Sequence, residues 1–537
     1  MNRYKKANEG IHAPDQVKEK AAQPVGRGSY TRWMGAVAAV LVVAILGGIA
    51  LWPGRAGGPT AENDPAVLSN GGNDGQPVAF GEGNPGRSAP GSTGSGTHHA
   101  YALSTAGSFA LPPRPESEDF RDKDGNIDYD AWIEADEAWR DIVWGLRDRL
   151  DEVQSIDQFV TTSTKQFLAG AGKENRVYSP LNLYMALAML AETAGGESRQ
   201  QILDVLGADS IETLRKDAAV VWQNFYEDDD MGVSVMANAL WLRDDMTYSQ
   251  DTLDTLADSY YASSFAGEMG SAEYDQALRD WTNEQTRGVL TEQADGLSFL
   301  PDTVLGLTST LYFKSAWSNP FNPAMNTRDV FHAPSGDVET EFLHWKEHPY
   351  RYYWGEHFSA IGLGFQSSNY CAMWLILPDE GYTVDELLES GEAMEFLMAN
   401  KSGVYNEKTD QTEGAWPGQT HLKINLSLPK FDVSSDLELS VGLKALGITD
   451  VFDGSVSDFG PLGASTGDPI FVSQVEHAAR VMIDEEGCTA ASYVDLMLSG
   501  AAMPPDEVVD FTLDRPFLFA ITGSSDLPLF TGVVNQP

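Results

Sequence analysis

One stretch of the sequence has the residue types and spacing of a zinc peptidase site. It reads HWKEH at residues 344–348, and an H-x-x-E-H string binds zinc when a helix brings both imidazoles to one face. Here Pro349 follows at once, and the aromatic residues after it favour a strand. No further metal-ligand motif follows in the sequence. We therefore predict a strand that binds no metal.

A second stretch has the acidic spacing of a calcium-binding loop. From residue 122 to residue 130, every second position is Asp or Asn, and calcium takes several such oxygen ligands. Ile127 stands where that loop requires glycine, however, and Glu134 is one place too late for the closing ligand. A solvated, Asp-rich turn is the favoured interpretation, with calcium binding as the alternative.

Other arrangements typical of a catalytic site do not occur in the sequence. No G-x-S-x-G, G-x-x-x-x-G-K-[ST] or G-x-G-x-x-G string occurs in the context that a nucleophile elbow, a phosphate loop or a dinucleotide site requires. We predict that the protein is not an enzyme, that it has no catalytic residues and that it uses no cofactor.

Charge and composition narrow the classes of partner. The chain has 79 acidic and 35 basic residues and a formal charge of −44, which repels phosphate backbones and excludes nucleic-acid binding. Hydrophobic residues make up 42% of the chain, and there are only two cysteines. A hydrophobic core, without a disulfide framework, is therefore expected to stabilise the fold.

Residues 33–52 are typical of a membrane span. They read WMGAVAAVLVVAILGGIALW, uncharged and with tryptophan at both ends. Seven Lys and Arg residues precede this run and only Arg55 follows it closely, which predicts a cytoplasmic N-terminus and an extracellular remainder. The alternative is a cleaved signal peptide, which would make the protein secreted, but its apolar region is usually shorter.

Composition divides the chain into five parts. A disordered stalk is predicted where Gly, Pro and Ser dominate, and an amphipathic helix where apolar residues share one face, as do Trp139, Ile142, Val143, Leu146, Leu150 and Val153. The predicted parts are a cytoplasmic basic segment (1–32), a transmembrane helix (33–52), the stalk (53–115), an acidic turn with the amphipathic helix (116–155) and a folded domain (156–537).

The folded domain mixes helices and strands. Ser179 and Pro180 form a cap and first turn for a core helix that Gly195 and Gly196 end. Short runs rich in β-branched or aromatic residues, bounded by turn residues, predict strands. Because no regular βαβ period occurs, the predicted class is α+β. The strand runs are VSVMANALWL, VLGLTSTLYF, AIGLGF, YCAMWLIL, HLKINLSL and FLFAITG.

The segment at about 485–507, EEGCTAASYVDLMLSGAAMPPDE, fits neither a helix nor an ordinary linker. Between Cys488 and Ser499, every second residue is small or apolar, which is typical of a strand made for burial. The first half of this strand is built from small residues, however, and its far end runs into Gly500 and then Pro504-Pro505.

This segment resembles the reactive-loop hinge of the serpins, and further serpin-like motifs occur in the family's order over about 156–537. We expect a bacterial, membrane-anchored member of this family. The motifs are NRVYSPLNLYMALAMLAETAGGESRQQILDVLG (175–207), ANALWL (237–242), WTNEQTRGVL (281–290), LYFKSAWSNPF (311–321), LPKF (428–431), LGITDVF (446–452), VSQVEHAARVMIDEEG (472–487) and DRPFLFAITG (514–523).

The resemblance implies a helical body around three β-sheets with an exposed reactive-centre loop. In inhibitory serpins, a serine protease cleaves this loop and is trapped as an acyl-enzyme when the loop inserts into the main sheet as a new strand. The protein is then a suicide-substrate inhibitor and a monomer liable to loop-sheet polymerisation. The residues matching the hinge are Glu485, Glu486, Gly487, Cys488, Thr489, Ala490, Ala491 and Ser492.

Family spacing from Gly487 puts the reactive bond between Ala501 and Ala502, within about one residue. A small residue there suits elastase-like proteases, because trypsin-like enzymes need Arg or Lys. The resemblance also implies a cluster where the sheet opens: Ser179, Asn182, Ser309, Trp317 and His477. The family generally has Ser and Asn where this chain has Asn182 and Ser309, an exchange that keeps one amide and one hydroxyl.

Two other functions remain open from the sequence. A non-inhibitory serpin used for binding or storage would be cleaved without trapping the protease. A calcium-dependent surface interaction protein would use the Asp-rich segment within 116–155.

Overall fold

The computed structural model describes residues 97–109, 114–123, 125–153, 155–228, 232–301, 303–367, 371–401, 404–406, 411–463, 470–472, 475–488, 507–523 and 526–537. All of them belong to one structural unit. Within these ranges, no helix has both the length and the apolar content that a membrane crossing requires. The predicted span at 33–52 lies outside the ranges.

The described residues form eleven α-helices, many of which begin at a capping side chain such as Ser179, Ser210 or Thr383. They are α1 (Tyr129–Asp151), α2 (Ser155–Leu168), α3 (Pro180–Thr193), α4 (Gly196–Leu206), α5 (Ile211–Phe225), α6 (Gln250–Ser259), α7 (Ala272–Gln285), α8 (Thr291–Asp295), α9 (Val384–Ser390), α10 (Glu392–Met398) and α11 (Ser440–Leu446).

Nineteen strands occur in the same ranges. They are β1 (Ala102–Ser104), β2 (Arg176–Tyr178), β3 (Glu227–Asp228), β4 (Gly232–Arg243), β5 (Ala262–Gly267), β6 (Leu305–Ala316), β7 (Thr327–Ala333), β8 (Gly336–Trp354), β9 (Phe358–Gly364), β10 (Ala372–Pro378), β11 (Val404–Asn406), β12 (Gln411–Glu413), β13 (Gln419–Pro429), β14 (Phe431–Glu438), β15 (Glu476–Ile483), β16 (Gly487–Cys488), β17 (Val508–Thr512), β18 (Phe517–Thr522) and β19 (Pro528–Val534).

The main sheet has eight strands in the order β1-β5-β4-β6-β16-β15-β14, with β3 paired to β4. A second sheet has nine strands in the order β17-β13-β8-β9-β10-β18-β19-β2, with β7 paired to β8, and β11 and β12 form a hairpin. The described residues therefore form three sheets between and around the helices. This is the α+β arrangement that the sequence predicts.

The two faces of the main sheet are covered by different partners. On one face lies the large hydrophobic core, where α3 contacts both β6 and β19. On the other face, Ala237, Ala239 and Trp241 of β4 pack with Tyr274 and Trp281 of α7. Alternate residues of β4 thus point to opposite faces, and the strand is buried on both because each face has a cover.

The predicted strand runs are all strands in the structure, and the predicted core helix is α3. Residues 344–348 lie within β8, as expected, so the two imidazoles do not share a helix face. His344 instead contacts the hydroxyl groups of Thr327 and Ser427, at 2.7 and 3.1 Å. No cluster that could hold a metal occurs among the described residues.

The Asp-rich segment forms a turn followed by α1. Asp122 accepts the backbone N–H of Asn126 at 2.9 Å, and Asp128 caps α1 by accepting the N–H of Ala131. One prediction for α1 is wrong: Ile142 is 49% exposed, because the buried stripe that faces α5 consists of Val143, Leu146 and Leu150.

The stalk prediction is also wrong over residues 97–109. These residues form a short 3₁₀ helix, Thr97–Tyr101, and the strand β1, which pairs with β5. Their sequence, THHAYALSTAGSF, gave no periodic pattern, but His98 is buried against the domain and Phe109 packs against its aromatic side chains. A few apolar contacts are enough to order a segment that lies along an existing sheet edge.

Candidate functional site

The main sheet contains a slot between β6 and β15. At its upper end lies the two-residue strand β16, in which Cys488 is opposite Ser315 of β6 and Ile483 of β15. Both pairings are antiparallel, so β6 and β15 run parallel to each other. Among the described residues, no strand pairing joins β6 to β15 directly. From Cys488 towards the first residues of β6 and β15, the sheet is therefore divided into two halves.

The slot is nearly closed. Its walls are residues 311–313 of β6 and 477–482 of β15, and Thr286, Val289 and Leu290 also line it. The free volume inside is about 20 Å³, which is about the space that one water molecule needs. A further strand would therefore enter only if the two halves moved apart.

The turn before β16 is fixed by one carboxylate. Asp484 Oδ1 accepts the backbone N–H groups of Glu486 and Gly487, at 2.8 and 3.1 Å, as Asp side chains do in tight turns. Gly487 is required for a steric reason, because a Cβ there would lie 2.3 Å from the carbonyl oxygen of Ser315. Any other residue at position 487 would push β16 away from β6.

Glu485 fastens the same turn to the neighbouring strands. Its carboxylate is 2.6 Å from Lys430 Nζ and also accepts a hydrogen bond from Asn326. Lys430 pairs in addition with Glu341 at 3.2 Å. Partial burial alone would raise the pKa of Glu485, but the hydrogen bonds from Lys430 and Asn326 outweigh it and hold that pKa below its usual value. Glu485 is thus charged at neutral pH.

Trp317 supports the turn from the end of β6. Its backbone N–H donates to the carbonyl oxygen of Glu486 at 2.8 Å, and its indole N–H donates to that of Asp484 at 2.9 Å. The ring is buried and stacks on Phe365, with centroids 4.5 Å apart. The side chain therefore holds the root of the loop in position.

A polar cluster lies beside the slot, lower on the sheet. Asn182 donates its amide N–H to the carbonyl oxygen of Ser309 at 2.9 Å. Ser309 Oγ is within hydrogen-bonding distance of the amide oxygens of Asn182 and Asn238, 2.7 Å from the latter, and its one proton serves one of them at a time. Asn238 in turn donates to the carbonyl oxygen of Tyr260 at 2.8 Å. The cluster links α3, β4 and β6.

His477 joins this cluster from the other wall of the slot. Its Nε2 accepts the backbone N–H of Ser179 at 3.0 Å, so the neutral ring carries its proton on Nδ1. Burial lowers the pKa of His477 to about 4. The ring is 6% exposed and neutral at physiological pH.

The geometry of this slot agrees with the family match. A family model described as Serpin (serine protease inhibitor) matches residues 154–537. The chain belongs to the serpin family. Serpin-Z10 of Arabidopsis thaliana is 26% identical over 396 residues, which covers 72% of this chain and 98% of that protein. An uncharacterised serpin-like protein of Thermococcus kodakarensis is 27% identical over 403 residues, covering 72% and 85%.

Solved serpin structures are similar to this chain. The thermophilic serpin Tengpin in its native state has a TM-score of 0.61 and 26% identity, covering 72% of this chain and 94% of that one. Its latent state has a TM-score of 0.56 and 25% identity, covering 71% and 96%.

In this serpin, the structure brings most of the predicted site residues together. Ser179, Asn182, Ser309 and His477 form one cluster, while Trp317 lies at the loop root with Glu485, Glu486 and Gly487. Cys488 is a buried thiol, as is Cys371. The remaining predicted positions lie outside the described residues: Thr489, Ala490, Ala491, Ser492, Ala501 and Ala502.

Sequence reasoning missed three residues that the structure places in the site. Asn238 is an amide within an otherwise buried apolar strand, and Lys430 is the one charged residue in the quoted motif LPKF. Both were visible as polar residues in apolar surroundings. Asn326 gave no such signal, since its partners Glu341 and Glu485 are distant in sequence.

Proposed function

We propose that this serpin is a suicide-substrate inhibitor of serine proteases. Membership of the family supports a general role in serine protease inhibition. The observation that carries the proposal is β16, a two-residue strand already paired between β6 and β15 above a slot that continues below it. We infer that β16 is the first part of a strand that the reactive loop completes after cleavage.

The register of β16 supports this assignment. The pairs of Cys488 with Ser315 and with Ile483 define the register of the strand. If the strand is extended from these pairs one residue at a time, Val494 lies opposite both Ser309 and His477. Leu498 would then lie opposite Leu305, the first residue of β6. The loop segment thus has the length that the slot requires.

The side chains of the loop residues would also suit the two faces of the main sheet. Residues directly opposite each other point to the same face, so Val494, Leu496 and Leu498 would point into the core, as Ser309 and His477 do. Each of the three would contribute about 1.5–3 kcal/mol by burial. Tyr493 would point to the α7 side. The form with the loop outside is then metastable, and insertion releases free energy.

We infer that the free energy released by loop insertion drives the trapping of the protease. The catalytic serine of the protease attacks the carbonyl carbon of Ala501, forms an ester and releases the amine of Ala502. If the loop inserts before water hydrolyses the ester, the protease is carried along and held. The small side chain of Ala501 favours elastase-like enzymes. On this proposal the protein is not itself an enzyme.

We further propose that the domain is extracellular, with residues 33–52 as a membrane anchor. The support is the uncharged run flanked by tryptophan and the excess of Lys and Arg before it. A bacterial source stays a prediction from the sequence. Fractionation of cells that express the full chain, with and without carbonate extraction, would distinguish an anchored protein from a secreted one.

The test of inhibition is a mixture with an elastase-like protease. We expect a covalent complex that survives SDS, together with release of a peptide that begins at Ala502 or one residue away. Elastase with its catalytic serine blocked should give no complex. Complete cleavage of the loop without any complex would contradict inhibition and favour the non-inhibitory alternative.

A further inference from the structure

A short N-terminal segment adds a strand to one edge of the main sheet. We call residues 97–104 the edge segment; it consists of the 3₁₀ helix Thr97–Tyr101 and the strand β1. Strand β1 pairs antiparallel with β5 and covers the backbone edge of that strand. The edge segment precedes residues 154–537, which the family model matches. Its contacts are therefore a feature of this chain and do not follow from the family fold.

One histidine of the edge segment lies in surroundings that suit only a neutral ring. The His98 side chain is 3% exposed, and its ring contacts Phe265 of β5 edge-on, with centroids 5.7 Å apart. Its Nδ1 is buried and has no hydrogen-bond partner among the described residues. Its Nε2 lies 3.7 Å from Oε2 of Glu284 of α7, which is too long for a hydrogen bond. A charged ring here would lose most of its hydration and gain little in return.

The charged groups around His98 come from α7 and from the edge segment itself. Helix α7 and β5 pack against the 3₁₀ helix, but β5 carries no titratable side chain. Helix α7 contributes Glu284 and Asp280, and the edge segment contributes His99, whose ring centroid is 4.3 Å from that of His98.

The effects of these groups on His98 oppose one another. Burial lowers the pKa of His98 most, and repulsion from His99 lowers it further. Glu284 and Asp280 raise the pKa of His98 without cancelling the effect of burial, so it stays below its ordinary value of 6.5. The seated segment therefore favours the neutral ring.

We propose that His98 makes the edge segment a pH-sensitive strand, seated on β5 at neutral pH and released in mildly acidic surroundings. Only the neutral ring suits the seated segment, whereas water solvates the charged ring of the released one. The contribution of His98 to seating is therefore complete above pH 6.5 and is lost as the pH falls below that value. The switch goes beyond protease inhibition, because it involves neither the slot nor the reactive loop.

Residues 105–109, which follow the edge segment, are held by contacts of their own. Gly107 N–H donates to the carbonyl oxygen of Ala257 at 2.8 Å, and Phe109 packs edge-on against Trp222. Neither contact involves a titratable side chain, so we expect both to persist at mildly acidic pH. Release of the edge segment then uncovers the part of β5 that pairs with β1, while Phe109 stays on the domain.

Hydrogen exchange of the full chain, measured by mass spectrometry, tests this switch. The exchange rate of residues 97–104 is divided by the rate in the variant His98→Gln at the same pH, which cancels the effect of pH on the exchange chemistry. We expect this ratio to rise several-fold between pH 7.5 and pH 5.5. The limit is about tenfold, for one proton whose pKa in the released segment is the ordinary 6.5. The same ratio for residues 105–109 should not change.

The variant Glu284→Gln identifies the group that titrates. If His98 is the switch, this variant keeps the segment seated at pH 7.5, where the ring is neutral. At pH 5.5 it should release the segment more readily than the unaltered protein, because a carboxylate that favours the charged ring is lost. If protonation of Glu284 were the trigger, the segment would already be released at pH 7.5.

Three results would overturn the proposal. The first is a ratio for residues 97–104 that is the same at both pH values. The second is release of the segment at pH 7.5 in Glu284→Gln. The third is an equal rise of the ratio in residues 97–104 and 105–109, which would show that the pH change loosens the whole arm and not the part that contains His98.

Discussion

Ala490 and Ala491 are neighbours with opposite expected orientations in the inserted strand. If the proposed strand continued in the register of β16, Ala490 would lie opposite Phe313 and Val481, which are both buried. Ala491 would lie opposite Tyr312 and Arg480, on the α7 side of the sheet. A carboxylate at position 490 would have to enter the core unpaired, whereas one at 491 would face a guanidinium.

We therefore predict that Ala490→Glu converts the inhibitor into a substrate, while Ala491→Glu keeps most of the trapping. The yield of SDS-stable elastase complex should fall at least about tenfold in the first variant and less than about threefold in the second. The measurement is the ratio of complex to cleaved protein. Equal losses in both variants would contradict the register and hence the proposed insertion.

His477 makes the stability of the cluster depend on pH. Its pKa is about 4 in the folded protein, because burial disfavours the charged ring, and 6.5 is its ordinary value. Protonation of Nε2 would also remove the acceptor for the N–H of Ser179. The contribution of His477 to stability is therefore complete above pH 6.5 and is lost as the pH falls towards 4.

The expected loss between pH 7 and pH 4 is about 3 kcal/mol, from the size of the pKa shift. The measurement is the change in the urea unfolding midpoint between pH 7 and pH 4. This change is compared between the unaltered protein and the variant His477→Gln, which has no titrating ring. The comparison cancels the carboxylates that titrate in the same range. Parallel pH profiles for the two proteins would show that His477 does not act in this way.

At the scale of elements, strands and helices followed from local pattern. Helix α3 was predictable because a cap, a first-turn proline and a terminal glycine pair agree with its apolar residues. The exposure of Ile142 was not predictable. Helix α1 presents only a narrow stripe to α5, and nothing in its own sequence indicates which apolar residues face away.

The sequence predicted residues of the site only where they belong to a recognised motif. The polar cluster came from the family resemblance, whereas the contacts of Lys430 with Glu341 and Glu485 join three separate segments. Charges on different strands meet only after the fold has formed, so their spacing in sequence contains no signal.

At the scale of the whole molecule, the serpin domain carries an added N-terminal arm, residues 97–109, outside the matched region of 154–537. The arm adds β1 to the edge of the main sheet and touches three helices. Thr97 Oγ1 donates to Asp280 of α7 at 2.6 Å, and Gly107 N–H donates to the carbonyl oxygen of Ala257 of α6 at 2.8 Å. Phe109 contacts Trp222 of α5 edge-on, with centroids 5.9 Å apart.

These contacts predict that the arm stabilises the half of the main sheet that contains β4 and β6, and not only the edge strand β1. Phe109 lies edge-on to Trp222, Tyr226 and Tyr261, so Phe109→Ala should lower the free energy of unfolding by about 2–3 kcal/mol. Leu103→Ala is the matched control, because Leu103 is 45% exposed in the same arm and should cost less than about 0.5 kcal/mol. Urea unfolding of the full chain measures both variants. If Phe109→Ala is no more destabilising than Leu103→Ala, the arm lies on the domain without stabilising it.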